Sequence, residues 1–158
     1  PYNTELSDIY LKVAALISIY STNIYEVFLV AQHIYNLQID RRLGEQDLML
    51  VHDIASVRIR DKYRYNYSFA SKYCAWHDSS TYPIYDSYVD WILWRYQLET
   101  RFFQSGFKRG ALRNYRIFTD VFRAFQVEFQ LQDLSIKEFD HFLWLQAQDI
   151  WNSLIETS

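Results

Sequence analysis

The sequence predicts an all-α fold, a compact bundle of about seven helices, and three observations carry that expectation. Half of the 158 residues are apolar and 19% are aromatic, so the chain can bury a core and is not disordered. Only three Gly and two Pro occur, too few to punctuate a many-stranded β protein. Apolar residues recur at helical spacing along most of the chain.

The elements follow in order. Ile9, Val13, Leu16, Ile17 and Tyr20 share one face of a helix over 7–20, with Ser7 as its cap. Asn23-Ile24-Tyr25-Glu26 has capping-box spacing and opens a second helix that runs to about Leu37. The apolar run 24–31 reads as helix by its length and flanks. Arg41-Arg42-Leu43-Gly44 breaks the pattern, and Asp47 to Val57 reads as a third, shorter helix. A fourth runs from Asn66 to His77 and buries Phe69, Ala70, Tyr73 and Cys74. Asp78 to Pro83 is the clearest loop, and Pro83 forces Tyr82 into an extended conformation. Asp86 then stands at a helix N-cap, with Val89, Ile92 and Leu93 beginning the fifth helix. Gly106 and Gly110 bracket a break before a sixth helix over 111–130. Ser135-Ile136-Lys137-Glu138 is a capping box opening the last helix, which runs to about Ile155. No repeat or linker interrupts the series, so one helical domain over 1–158 is expected.

Composition narrows the chemistry. A single cysteine, Cys74, allows no intramolecular disulfide and suits a reducing compartment. No apolar run reaches the roughly 20 residues of a membrane span, and no signal peptide is read, so a cytoplasmic protein is expected. The four histidines are scattered, none paired at ligand spacing, and neither a metal nor a cofactor is expected. Phosphate-loop, nucleophile-elbow and HExxH signatures are absent.

The net charge of −3 argues against a general nucleic-acid binder, yet its distribution is uneven. Residues 1–57 hold 3 basic and 7 acidic side chains, net −4. Residues 58–123 hold 12 and 6, net +6, and residues 124–158 hold 1 and 6, net −5. Arg58, Arg60, Lys62 and Arg64 form one basic group; Lys108, Arg109, Arg113 and Arg116 form another. Solvated helix faces account for such runs, and so does a local anion-binding surface.

One segment stands out. The helix containing Phe69-Ala70-Ser71-Lys72-Tyr73-Cys74 leads through the loop to Pro83-Ile84-Tyr85-Asp86-Ser87-Tyr88-Val89. The positive end of the following helix stabilises Asp86, which on the plainest reading caps that helix and does nothing more. The order also resembles the catalytic region of the helix-hairpin-helix DNA glycosylases, particularly their 8-oxoguanine glycosylase-like branch, over about 25 residues. The resemblance implies a DNA glycosylase-like helical bundle in which Asp86 is the catalytic carboxylate and DNA the partner. It implies a base pocket, for which Trp76 and Tyr85 are the candidate rings. The family's glycine hairpin should fall near 63–67, where this chain has Tyr63-Arg64-Tyr65-Asn66-Tyr67. The lysine nucleophile of bifunctional members should fall at Tyr67 or Ser68, and Lys72 lies about a turn later. The implied protein is therefore monofunctional, acting on or recognising a modified base, with the two basic groups contacting phosphates in place of glycine amides. Such a reduced form would suit an accessory of a bacterial defence locus. The other reading is a non-catalytic helical module that binds a protein partner through its Tyr, Trp and Arg side chains.

Overall fold

The computed structural model describes residues 2–20, 24, 26–59 and 61–156, apart from the side chains of 154–156. Eight α-helices and one two-stranded antiparallel hairpin form among them, so the chain is mostly helical. The chain gathers into two compact units, residues 1–81 and 82–158. The join falls inside the loop Asp78–Pro83, which carries no change of composition.

The first unit contains α1 (Leu6–Tyr20), α2 (Val27–Leu37), α3 (Asp40–Gly44), α4 (Leu50–Ala55), β1 (Ser56–Ile59), β2 (Lys62–Tyr65) and α5 (Tyr67–His77). Ile9, Val13 and Leu16 of α1 are buried against α2, whose Val30, Ala31 and Ile34 are also fully covered. Leu50, Val51 and Ile54 of α4 meet α5, which buries Phe69, Ala70, Tyr73 and Cys74. A polar strap closes the N-terminal side. The backbone and side-chain N–H groups of Asn3 donate to Asp40 at 2.7 and 2.6 Å. The Tyr73 hydroxyl donates to Asn3 Oδ1 at 2.7 Å, and Lys12 Nζ donates to the same oxygen at 3.1 Å. Asn3, Asp40, Lys12 and the Tyr73 hydroxyl are thus matched to one another, whereas His77, packed on Tyr73, has a buried Nε2 with no hydrogen-bond partner among the described residues.

The second unit contains α6 (Ser87–Thr100), a 3-10 turn at Arg109–Arg113, α7 (Tyr115–Glu128) and α8 (Ile136–Glu156). Its core is aromatic. Phe118, Phe122, Phe125 and Phe129 line one face of α7 at spacings of three and four residues. Phe122 and Phe139 rings lie 4.6 Å apart, Phe125 and Phe129 4.3 Å, and Phe102 and Phe125 5.1 Å. Edge-to-face and tilted contacts of this kind add to the gain from burial alone.

The capping expectations for α6 and α8 hold. Asp86 Oδ1 accepts from the backbone N–H groups of Tyr88 at 3.0 Å and Val89 at 2.9 Å. Both halves of the Ser135 box form: Ser135 N–H donates to Glu138 Oε2 at 2.8 Å, and Glu138 N–H to Ser135 Oγ at 3.3 Å. The box read at Asn23–Glu26 involves Asn23 and Tyr25, which lie outside the described residues.

Several boundaries differ. Helix α1 begins at Leu6, which places Ser7 inside its first turn and not at its cap. The second helix ends at Gln38, which takes the left-handed conformation at φ 47, so Arg41–Gly44 forms α3 where a break was expected. Gln46, Arg101 and Gln130 also adopt positive φ, at about 1–2 kcal/mol each for a residue with a Cβ. A chain with three glycines ends helices this way because few glycines are present to do it. The expected helix 47–57 stops at Ala55, and 56–65 turn back as the hairpin β1–β2. The expected helix 111–130 begins at Tyr115, capped by Asn114 Oδ1, after the 3-10 turn.

Phe122 is fully buried between Phe118 and Phe139. Phe122→Ala is expected to cost ~3–5 kcal/mol in urea denaturation, from lost transfer energy and the cavity left behind. A cost under about 1 kcal/mol would show that the ring cluster is not the core.

Candidate functional site

The hairpin collects the first basic group. Strand pairing sets Ser56 opposite Tyr65, Val57 opposite Arg64, Arg58 opposite Tyr63, and Ile59 opposite Lys62. Directly opposed residues share a face, so Ser56, Arg58, Tyr63 and Tyr65 lie on one side and Val57, Ile59, Lys62 and Arg64 on the other. Val57 is 1% exposed and anchors its side in the core, where β1 meets α2 and α4. The opposite side faces solvent: Arg58 is exposed, Tyr65 is 47% exposed and Tyr63 77%. Lys62 and Arg64 are exposed as well. Arg60 lies outside the described residues.

The ribbon is braced at its base. Asn66 N–H donates to Ala55 O at 2.9 Å and closes the ladder. The Tyr65 hydroxyl and His52 Nδ1 share a hydrogen bond. The rings of His52, Tyr65 and Tyr67 lie nearly parallel, with centroids 5.6–6.0 Å apart and planes within 20°. Helix α5 starts immediately after the ribbon. Its Lys72 is 9% exposed; Nζ donates to Ser68 Oγ at 3.1 Å and stands 4.8 Å from the Tyr20 ring centroid. Trp76, further along α5, is 48% exposed. Burial drives the Cys74 thiol far above its ordinary range, which leaves it protonated and inert.

In the second unit the lead-in to α6 is held by three side chains. The Tyr115 hydroxyl donates to Pro83 O at 2.7 Å, and Ile84 N–H donates to Asp140 Oδ2 at 2.8 Å. Asp86 supplies the cap. Asp140 is 9% exposed, and its Oδ1 is buried with no hydrogen-bond partner among the described residues. Burial pushes its carboxyl up to about 8; the Ile84 bond opposes the rise and the charge of Asp86 adds to it. A neutral acid thus stands in the electrostatic field of a second carboxylate, the kind of pairing that separates acid from base. Sequence reasoning passed over Asp140. The available signal was its place on the apolar stripe Ile136, Asp140, Leu143 and Ala147.

The other predicted residues are distributed differently. Tyr85 packs edge-on against Phe118 at 5.4 Å, and its hydroxyl donates to Asp90 Oδ1 at 3.1 Å. Arg109 Nε lies 3.6 Å from Asp90 Oδ2, and Arg113 stands at the Tyr85 hydroxyl. Burial pushes that hydroxyl up to about 12, with the Asp90 charge next in effect. Tyr85, Arg109 and Arg113 therefore serve a local Asp90 cluster. Lys108 and Arg116 are exposed. An open groove of about 430 Å³ on the first unit is lined by Tyr2, Thr4, Asp8, Leu11 and Lys12, none of them a predicted site residue. No group of metal-binding side chains occurs among the described residues. No helix among them is long and apolar enough to cross a membrane.

Comparison with known proteins places the ribbon in a family domain. The model of the HI_0787_N family, described as an N-terminal domain, matches residues 1–81, and the chain belongs to that family. The matched segment ends where the first compact unit ends. A Haemophilus influenzae protein described as uncharacterized is 41% identical over 135 residues, covering 85% of this chain. The aligned part spans 63% of that relative's length. No solved structure matches.

Asp140 gives a test of the buried carboxyl. Its folded value lies above the ordinary 3.8, so the native state keeps a proton that the unfolded chain releases. The stability it contributes is complete below about pH 4 and is lost as pH rises towards and through about 8. Asp140→Asn keeps an acceptor for Ile84 and removes the titration. Urea midpoints of the variant should lose the decline between those pH values that wild type shows. Parallel profiles for the two proteins would exclude a raised Asp140 value.

Proposed function

We propose that the first unit binds nucleic acid through the ribbon 56–65. The observation that carries this reading is one face bearing Arg58, Tyr63 and Tyr65, opposite a side anchored by Val57 and edged by Lys62 and Arg64. Cationic side chains neutralise phosphates, and exposed rings beside them contact sugars and bases. Charge favours this partner, because residues 56–65 hold four basic side chains against the single acidic Asp61.

The test is equilibrium binding of labelled DNA and RNA oligonucleotides across a salt series. With at least three phosphate contacts, the logarithm of the affinity should fall against log salt with a slope of roughly −2 to −3. Arg58→Glu, Lys62→Glu and Arg64→Glu combined should abolish binding while urea stability stays near wild type, since all three are exposed. Salt-independent binding, or full binding by the triple variant, would exclude the ribbon.

A second reading rests on Asp86. What supports it is the extended lead-in from Pro83 to Asp86, which ends with Asp86 capping α6. In that reading the Asp86 carboxylate stabilises positive charge developing at a sugar during release of a modified base. Asp86→Asn preserves a capping acceptor and removes the charge. Base release from modified-base oligonucleotides should be lost in this variant with stability within about 1 kcal/mol of wild type. Release equal to wild type would remove Asp86 from any such chemistry.

A further inference from the structure

We infer that the ribbon takes single-stranded nucleic acid, with an unpaired base stacked on Tyr63 and its phosphate met by Arg58 on the same face, while Lys62 and Arg64 add charge from the opposite side. This deepens the nucleic-acid reading above and rests on it.

The argument begins with Tyr63. Its ring is 77% exposed in the middle of a paired strand, where the fold makes little use of it. Directly across the ladder stands Arg58, and opposed Cβ atoms lie about 4.5–5.5 Å apart. A flat aromatic face and a cation therefore project side by side from one surface. That combination suits a nucleotide whose base and phosphate are both accessible, as in a strand without a partner. Within a duplex the bases already stack on one another and offer their π-faces only at the ends.

Tyr65 lies two residues along on the same face, and its orientation is fixed before any ligand arrives. Its hydroxyl is bonded to His52, and its ring lies within 20° of parallel to those of both His52 and Tyr67. A braced ring loses little freedom on binding, which favours affinity from stacking. Each strand has four residues and is about 13 Å long, so the surface matches only a few nucleotides.

A two-stranded ribbon can also enter the major groove of B-DNA, and the experiment separates these modes. Binding of the full chain is measured across a salt series to a labelled mixed-sequence single strand and to its duplex, each as DNA and as RNA, and the probes are compared at equal salt. Wild type should bind the single strand more tightly. Tyr63→Leu should weaken single-strand binding roughly 5- to 150-fold, the equivalent of one lost base stack, and leave duplex binding unchanged. Tyr63→Phe, which keeps the ring, should retain wild-type affinity. Tyr63 is so exposed that neither change threatens the fold.

Duplex bound more tightly than single strand would overturn the inference. So would a Tyr63→Leu protein that binds the single strand as wild type does. If salt-dependent binding persisted in that case, the electrostatic reading would stand and stacking alone would fall. No salt-dependent binding to any of the four probes would remove both.

Discussion

The pleat of the ribbon is decided by one buried side chain. Val57 is covered by α2 and α4, and a strand alternates its side chains with a period of two. Burying Val57 therefore turns Ser56 and Arg58 outward and, through the ladder, turns Tyr63 and Tyr65 to the same side. A slip of one residue would place Arg58 where Val57 now sits, a burial of charge that the core could not satisfy. The same constraint that stabilises the hairpin thus chooses which residues face solvent. The Asn66 bond to Ala55 O and the bond between Tyr65 and His52 then hold the base of the ribbon against α4.

In the second unit the comparable constraint is the extended lead-in to α6. Pro83 has no N–H to donate, and its carbonyl would be orphaned in the core without the Tyr115 hydroxyl. Ile84 has its N–H satisfied by Asp140, at the cost of burying a carboxyl whose other oxygen has no partner among the described residues. Asp86 completes the turn into the helix. Three polar contacts on four consecutive residues are more than a loop needs merely to change direction. They keep Asp86 in one position, which a helix cap needs only in part and a reacting carboxylate needs throughout. That surplus of order is what supports the second functional reading.

The features legible in the sequence are those encoded within one turn of chain. The Asp86 cap and the Ser135–Glu138 box depend on neighbours two or three residues away and are found as expected; of the stripe Ile9, Val13, Leu16, Ile17 and Tyr20 the first three are buried, Ile17 is half-buried and Tyr20 is exposed. The hairpin escaped because helix-like residues 50–55 run directly into it and the sequence between its strands contains neither glycine nor asparagine. The alternation Lys62-Tyr63-Arg64-Tyr65 is the strand signal that the preceding helical pattern masked. The basic group 58–64 was visible by composition, but only cross-strand pairing shows that Arg58 and Tyr63 share a face. Asp140 escaped for a different reason, because a carboxyl on an apolar stripe is recognised only once the partner it serves, Ile84, is in place. The boundary at 81/82 lies in a loop that was plain in the sequence, yet Tyr82 is fully buried, so no soluble linker marks it.

Charge bears on why the proposed reading calls on stacking as well as on phosphate contacts. Residues 1–81 hold 8 basic and 9 acidic side chains, so the unit has almost no net attraction for a polyanion at long range. Surface charges are screened over about 8 Å at physiological salt, and the local field of the ribbon reaches little further. Outside the ribbon the basic residues are committed elsewhere. Arg42 pairs with Asp47 and Asp53, Arg41 with Glu45, Lys12 with the Asn3 strap, and Lys72 with Ser68 and the Tyr20 ring. Half of the unit's basic side chains lie within residues 56–65, and phosphate contacts from so few cations give modest affinity and no sequence choice. A surface built this way needs a short-range contribution that salt does not screen. On the proposed reading the exposed Tyr63 and braced Tyr65 would supply one, and the rest of residues 1–81, with 4 basic and 8 acidic side chains, would disfavour a polyanion away from that face.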